Sequence, residues 1–156
     1  MNKEIQSIIQ NLQNVTDGEP WYGRSVLDIL EETDPAHTLI TPGNKGHSLL
    51  ELLYHMLTWM EFTLKRLEDS EEMDIEMTEN LDWRIIDPRV HTWEKGMASF
   101  RSTGRKIIEL LGEKDDSFLT KKVTYRTYNF RFLLNGLIQH NIYHLGQIAY
   151  INKYLL

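Results

Sequence analysis

The run from Phe132 to Asn152 contains no Asp, Glu, Lys or Arg, and it constrains the fold of this chain more than any other feature. Two histidines, His140 and His144, lie four residues apart within it. In an α-helix such residues share one face about 6 Å apart along the axis, so both imidazoles can point at one spot. Both also fall inside the apolar stripe, where a polar group without a partner costs roughly 1–3 kcal/mol. The run therefore predicts a buried helix whose histidines meet a common partner.

The same run is long enough to cross a bilayer, but seven of its residues are Asn, Gln or His, which are costly in hydrocarbon. We therefore expect no membrane association. We also expect no nucleic-acid partner, because the net charge is −6 and no basic cluster exceeds the pair Lys121-Lys122. The chain has no cysteine for a disulfide or a thiolate ligand, and its beginning lacks the apolar core of a signal peptide. These features fit a cytoplasmic location.

Apolar residues recur at helical spacing in four parts of the chain, and Gly, Pro and Asp cluster between them. We expect an interrupted first arm at residues 2–33, a second helix at 46–68, a third from Asp87-Pro88 to Gly112 and a fourth from 129 to the end. Four arms predict an all-α protein, a four-helix bundle with two long connections. The length of 156 residues fits a single domain, 1–156, with one core.

The two long connections differ in character. The second, residues 113–128, has some extended character between Leu119 and Tyr125. The first carries eight acidic residues and no basic one between Glu68 and Asp82. Blocks of like charge are usually solvated and mobile, which is our expectation for residues 68–82, and a cation-binding or steering role is the alternative.

A third histidine, His55, lies at the edge of the apolar face of helix two, beside aromatic and acidic neighbours. With His140 and His144 it would make a three-imidazole site, which suits Zn²⁺, Ni²⁺ or Fe²⁺ and leaves a position open for water or substrate. The alternative is a set of core histidines that cap or hydrogen-bond within the bundle. His47 and His91 are weaker candidates, expected at the surface or in a loop.

Motifs of other reaction classes are absent from the sequence: there is no G-x-S-x-G elbow, P-loop, dinucleotide glycine fingerprint or di-iron Glu-x-x-His pair. With neither a cysteine nor a serine triad, a nucleophile must come from the solvent or from a cosubstrate. Three apolar residues of helix two near His55, namely Leu52, Trp59 and Phe62, are the expected wall of a substrate pocket. Such a wall suits an apolar electrophile better than a highly charged one.

Two polar residues near the histidines are candidates for catalysis. Glu51, one turn before His55, could orient that ligand or act as a base. Gln147, at the side of the histidine stripe, could hydrogen-bond a ligand or a substrate. For both residues a structural or solvent-facing role is the alternative.

Three segments carry a resemblance to a known family. They are Gly18-Glu19-Pro20-Trp21-Tyr22-Gly23, then Leu52-Leu53-Tyr54-His55-Met56 with Trp59 one turn later, and His140-Asn141-Ile142-Tyr143-His144-Leu145-Gly146-Gln147-Ile148. On these residues the chain resembles the DinB-like (DinB/YfiT) family, whose members are regarded as metalloenzymes. The most specific part is the terminal H-x-x-x-H-x-G-Q-I, supported by the lone histidine of helix two.

The resemblance implies a bundle in up-down-down-up order, often dimeric, with a divalent ion on His55, His140 and His144. Nickel or zinc is the first expectation for this ion, and iron or manganese the second. Relatives include S-transferases and isomerases that use low-molecular-weight thiols such as bacillithiol or mycothiol. We therefore expect a metal-dependent transferase that joins a small-molecule thiol to an electrophile. A metal-dependent hydrolase and a non-catalytic metal-binding stress protein are the alternatives.

Helix four is apolar or uncharged almost all round. Five such residues lie outside the histidine stripe: Ile138, Ile142, Leu145, Ala149 and Tyr150. One bundle core does not easily cover all of these faces. We therefore expect a symmetric homodimer in which helix four contributes to the interface.

Overall fold

The computed structural model describes residues 2–155, and their regular structure is helical apart from one isolated β-bridge between Lys122 and Asn129. The α-helices are α1 (Lys3–Asp17), α2 (Val26–Glu32), α3 (Leu49–Leu67), α4 (Ile75–Asp82), α5 (Trp93–Gly112) and α6 (Phe130–Leu155). Short 3₁₀ turns lie at Pro35–His37, Pro42–Asn44 and Asp116–Thr120. The predicted all-α class is confirmed. Within the described chain, no helix is both long enough and apolar enough to span a bilayer.

The four long helices form the bundle. Helices α5 and α6 each pack against both α1 and α3, so the four surround one shared core. Large apolar side chains of that core, including Phe62, Phe100 and Ile107, are fully buried. The up-down-down-up order of helix directions stays a prediction. The bundle places α3 and α6, the two helices that carry the histidines, side by side.

The first helical arm is divided into two separate helices. Helix α1 ends at Asp17 and α2 begins at Val26, with a turn-rich segment between them. Ser25 starts α2 through a capping box, because its hydroxyl accepts from Asp28 N and the Asp28 carboxylate accepts from Ser25 N. The indole N–H of Trp93 donates to Leu30 O at 3.1 Å and ties α2 to α5. The interruption at residues 18–25 is therefore a complete break, and α2 is a bundle element of its own.

The start of the third long helix was predicted wrongly. Helix α5 begins at Trp93, after the N-cap Thr92, whose hydroxyl accepts from Lys95 N at 3.3 Å. Asp87 instead closes a turn in which its carbonyl accepts from His91 N at 2.7 Å and its carboxylate binds Arg89. An Asp-Pro pair suits a turn as well as a helix start, so the motif alone did not decide between them. The predicted end of this helix at Gly112 is confirmed.

The acidic connection is not an unstructured linker. Its second half forms α4, which Asp74 caps by accepting from Met77 N at 2.9 Å. Met73 and Thr78 are buried, and the buried Arg66 of α3 donates to the backbone carbonyls of Ser70 and Glu72. Most side chains of residues 68–82 are exposed, as expected of a solvated connector, but apolar anchors and a buried guanidinium hold the segment on α3. This packing brings the end of α4 to His55. The mobility of the segment stays a prediction.

Candidate metal centre

Three histidines from two helices meet at one point. His55 of α3 has its Nε2 atom 2.9 Å from His140 Nε2 and 3.0 Å from His144 Nε2, both on α6. One nitrogen from each of the three residues lies within 4.8 Å of the other two. His55 and His144 are buried, and His140 is partly buried. The predicted three-histidine cluster is confirmed, and such a cluster fits a metal-binding site.

The opposite ring nitrogens of two histidines are held by oxygen atoms. His55 Nδ1 lies 2.8 Å from Asp82 Oδ1, and His144 Nδ1 lies 2.6 Å from Gln147 Oε1. Carboxylate and amide oxygens only accept hydrogen bonds, so each Nδ1 carries the ring proton and donates it. A neutral imidazole has one N–H, and the Nε2 atoms of His55 and His144 therefore carry lone pairs.

Two lone pairs that face each other at 3.0 Å repel unless a cation lies between them. Ligand nitrogens at about 2.0–2.1 Å from one ion lie roughly 2.9–3.4 Å apart for angles between a right angle and a tetrahedral one. The observed separations of 2.9 and 3.0 Å fall in that range. Three neutral imidazoles, two of them with the ring proton held on Nδ1 away from the cluster, thus fit a divalent ion of the zinc, nickel or iron type.

The electrostatics of the cluster keep the histidines neutral. Burial lowers the pKa of His140 to about 3, and the neighbouring His144 and His55 add to this effect. Burial also lowers the pKa of His55, although the Asp82 carboxylate opposes it. The pKa of His144 is lowered by burial too, although the hydrogen bond that His144 donates to Gln147 opposes this shift. At neutral pH all three imidazoles are therefore uncharged, which is the protonation state that binds metal.

Two residues at the end of α4 belong to the site but were not predicted from the sequence. The Asp82 carboxylate accepts from the indole N–H of Trp59 at 2.7 Å while it holds His55. The ring of Trp83 stacks on His55, with centroids 3.7 Å apart and planes 9° apart, and on its other side stacks on His47 at 3.8 Å. Their positions depend on how the connection folds back onto α3, and the local spacing of the sequence carries no signal for that.

The two predicted catalytic residues, Glu51 and Gln147, differ in their contacts. Glu51 forms a capping box with Ser48, its carboxylate accepting from Ser48 N at 2.7 Å, and within residues 2–155 no hydrogen bond joins it to His55. This cap also explains why α3 begins at Leu49 rather than at residue 46. Gln147 contacts His144, as described above. The catalytic roles of Glu51 and Gln147 stay predictions.

The three predicted wall residues are not equivalent. Leu52 and Phe62 are buried in the core, with 2% and 0% of their surfaces exposed. Trp59 lines a cavity together with His140. Of the wall residues, Trp59 is therefore the one in contact with open space beside the histidines.

The weaker ligand candidate His91 has other contacts. Its Nδ1 atom accepts a hydrogen bond from Asp87 N at 2.9 Å, and its ring lies edge-on to Tyr54.

Comparison with known proteins identifies a family. A family model described as the DinB superfamily matches residues 23–148, which is most of the chain and includes all three histidines as well as Asp82 and Gln147. The chain matches no curated protein.

Proposed function

The chain belongs to the DinB superfamily, and from this membership and the histidine cluster we propose that it is a metal-dependent transferase acting on a low-molecular-weight thiol. The observation that carries the proposal is the convergence of the Nε2 atoms of His55, His140 and His144, with the Nδ1 partners of His55 and His144 leaving a lone pair on the Nε2 atom of each. These residues would hold a divalent ion, with zinc or nickel preferred and iron or manganese next. When bound, such an ion lowers the pKa of a thiol or a water molecule and supplies a nucleophile near neutral pH.

A thiol is the proposed nucleophile for two reasons. The chain has no cysteine of its own, and a soft thiolate suits zinc and nickel. The thiol would be of the bacillithiol or mycothiol type, and the second substrate an electrophile with an apolar part. In the proposed reaction the S–H bond and the bond from carbon to the leaving group break, a C–S bond forms, and the proton departs with the leaving group.

The protein supplies orientation and shelter for this reaction. Asp82 holds the proton on His55 Nδ1, and Gln147 does the same for His144, so both rings keep Nε2 turned toward the cluster. Trp83 covers one face of His55 and keeps water from it. We assign Asp82 and Gln147 as positioning residues, because each contacts a histidine.

We also propose that the protein acts in the cytoplasm, where small thiols are kept reduced, and that it forms a symmetric homodimer through α6. Ile138 and Leu145 are buried within one chain, so the apolar surface available for an interface is smaller than the sequence pattern indicated. Ile142 and Tyr150 remain exposed, at 37% and 73%. They are the part of α6 from which we expect the interface to be built, and light scattering at micromolar concentration should give the mass of two chains.

The test of the proposed function is a conjugation assay with metal-loaded protein. An electrophilic model substrate is supplied with bacillithiol, with glutathione or with no thiol, and the series is repeated with His144→Ala and with the control His91→Ala. We expect conjugation above the uncatalysed rate that is lost in His144→Ala and kept in His91→Ala. Turnover without any thiol would replace the proposal with a metal-dependent hydrolase. If no turnover appears while the metal raises the melting temperature, a non-catalytic metal-binding protein is the better description.

A further inference from the structure

A cavity of about 160 Å³ opens beside the histidine cluster. Trp59 and Thr63 of α3 line one side of it, and Leu133, Gly136, Leu137 and His140 of α6 line the other. The imidazole of His140 is therefore shared: its Nε2 atom faces His55, and its ring forms part of the cavity wall. The cavity and the histidine cluster are therefore neighbours that share the ring of His140.

The polar groups of the α3 wall are already engaged. Thr63 donates its hydroxyl hydrogen to Trp59 O at 2.8 Å, and Trp59 donates its indole hydrogen to Asp82 at 2.7 Å. Neither side chain has a hydrogen left for a ligand. Leu133 and Leu137 add aliphatic surface. The cavity is therefore suited to a hydrocarbon group rather than to a polar or charged one.

The size of the cavity limits its occupant. An apolar cavity of about 150 Å³ in another protein holds one benzene molecule, and the volume here is about 160 Å³. Phe132, which is 66% exposed, packs against Tyr128 with ring centroids 5.1 Å apart, and both residues lie at this cavity. The volume therefore matches a single six-membered ring, and a fused two-ring system would extend out of this cavity, which is open to solvent.

Gly136 is the residue of the cavity wall that has no side chain. A Cβ atom built on this residue meets no atom within 4 Å, so a side chain at position 136 would project into open space. Gly136 lines the cavity from the second turn of α6, and we therefore expect a larger residue there to reduce the free volume. Every other helical position of the wall already carries a side chain.

We propose that this cavity binds an apolar group of about the size of a benzene ring on the electrophilic substrate, and that Gly136 sets the size limit. The assignment of that group to the electrophile rests on the proposed function. The binding of a free hydrocarbon in the cavity does not rest on the proposed function. The two claims can therefore fail separately.

The first experiment measures toluene binding by NMR to the full-length protein, in the wild type, Gly136→Leu and Asn135→Leu. Asn135 is exposed on the same helix one residue earlier, so Asn135→Leu adds the same side chain outside the cavity. We expect toluene to bind the wild type and Asn135→Leu alike and to bind Gly136→Leu at least tenfold more weakly. Gly136→Ala should give an intermediate loss, which keeps the test valid if the leucine variant folds poorly.

The second experiment compares kcat/KM for benzyl bromide, 2-(bromomethyl)naphthalene and iodomethane with the metal-loaded protein and a thiol. The wild type should favour benzyl bromide over the naphthyl compound by at least tenfold beyond their uncatalysed ratio. Gly136→Leu should lose that preference, whereas Asn135→Leu should keep both the preference and the rate with iodomethane. Absence of toluene binding, or equal binding by the wild type and Gly136→Leu, would overturn the cavity proposal. Toluene binding without turnover of any electrophile would support the cavity and count against the transferase.

Discussion

Replacing Asp82 should weaken metal binding although this residue is not a proposed ligand. Its carboxylate accepts the Nδ1 proton of His55 at 2.8 Å and fixes the ring with Nε2 toward the cluster. A hydrogen bond to a charged group contributes about 1.5–3 kcal/mol, and each 1.4 kcal/mol or so is a factor of ten in an equilibrium constant. The Asp82 side chain is 26% exposed, so solvent reduces the charge contribution. We therefore expect Asp82→Ala to raise the metal Kd by roughly ten- to a hundredfold.

Competition titration with a metal chelator measures this change directly. Glu79→Ala is the matched control, because it removes a carboxylate from the exposed side of the same helix. Asp82→Asn keeps an oxygen acceptor for Nδ1 and should lose less affinity than Asp82→Ala. Equal losses in Asp82→Ala and Glu79→Ala would show that only the net charge matters and would refute the role of the His55 hydrogen bond.

Three further predictions concern the same region. Gln147→Leu should lower metal affinity while the fold is kept, because the acceptor that holds the His144 Nδ1 proton is lost; chelator titration and circular dichroism test this, and unchanged affinity would contradict it. The metal-free protein should lose stability as the pH falls from about 6.5 towards 4, because the unfolded chain takes up protons that the partly buried His140, with a pKa of about 3, does not. Denaturant titrations should show a shallower pH dependence in His140→Phe, and an unchanged slope would refute this. Ser48→Ala should cost about 1 kcal/mol of unfolding free energy through the loss of the α3 capping box, whereas a change below a few tenths would assign that end of the helix to packing alone.

The sequence predicted what depends on local spacing. The interval between His140 and His144 placed both rings on one face of a helix, and the position of His55 on a second amphipathic helix supplied the third. Helical periodicity also gave the bundle class, because amphipathic faces can be covered only by one another. These features are encoded within one or two turns of helix.

What the sequence could not predict depends on contacts between distant parts of the chain. Asp82 reaches His55 because α4 folds back onto α3, and that return depends on the buried anchors Met73 and Thr78 within an otherwise acidic segment. Because the segment is strongly acidic, its sequence did not indicate that these two side chains are buried. Likewise Asp87-Pro88 is compatible with a turn and with a helix start. In the structure Asp87 lies in a turn, and Thr92 is the N-cap at which the helix begins.

The central claim is that His55, His140 and His144 together hold one divalent ion. The most direct measurement is the metal content per chain of untagged protein by elemental analysis, for the wild type, for single alanine variants of the three histidines and for His91→Ala. The account predicts about one divalent ion per chain in the wild type and in His91→Ala, and a large loss in each of the other three. A His140→Ala protein that is as fully loaded as the wild type would contradict it.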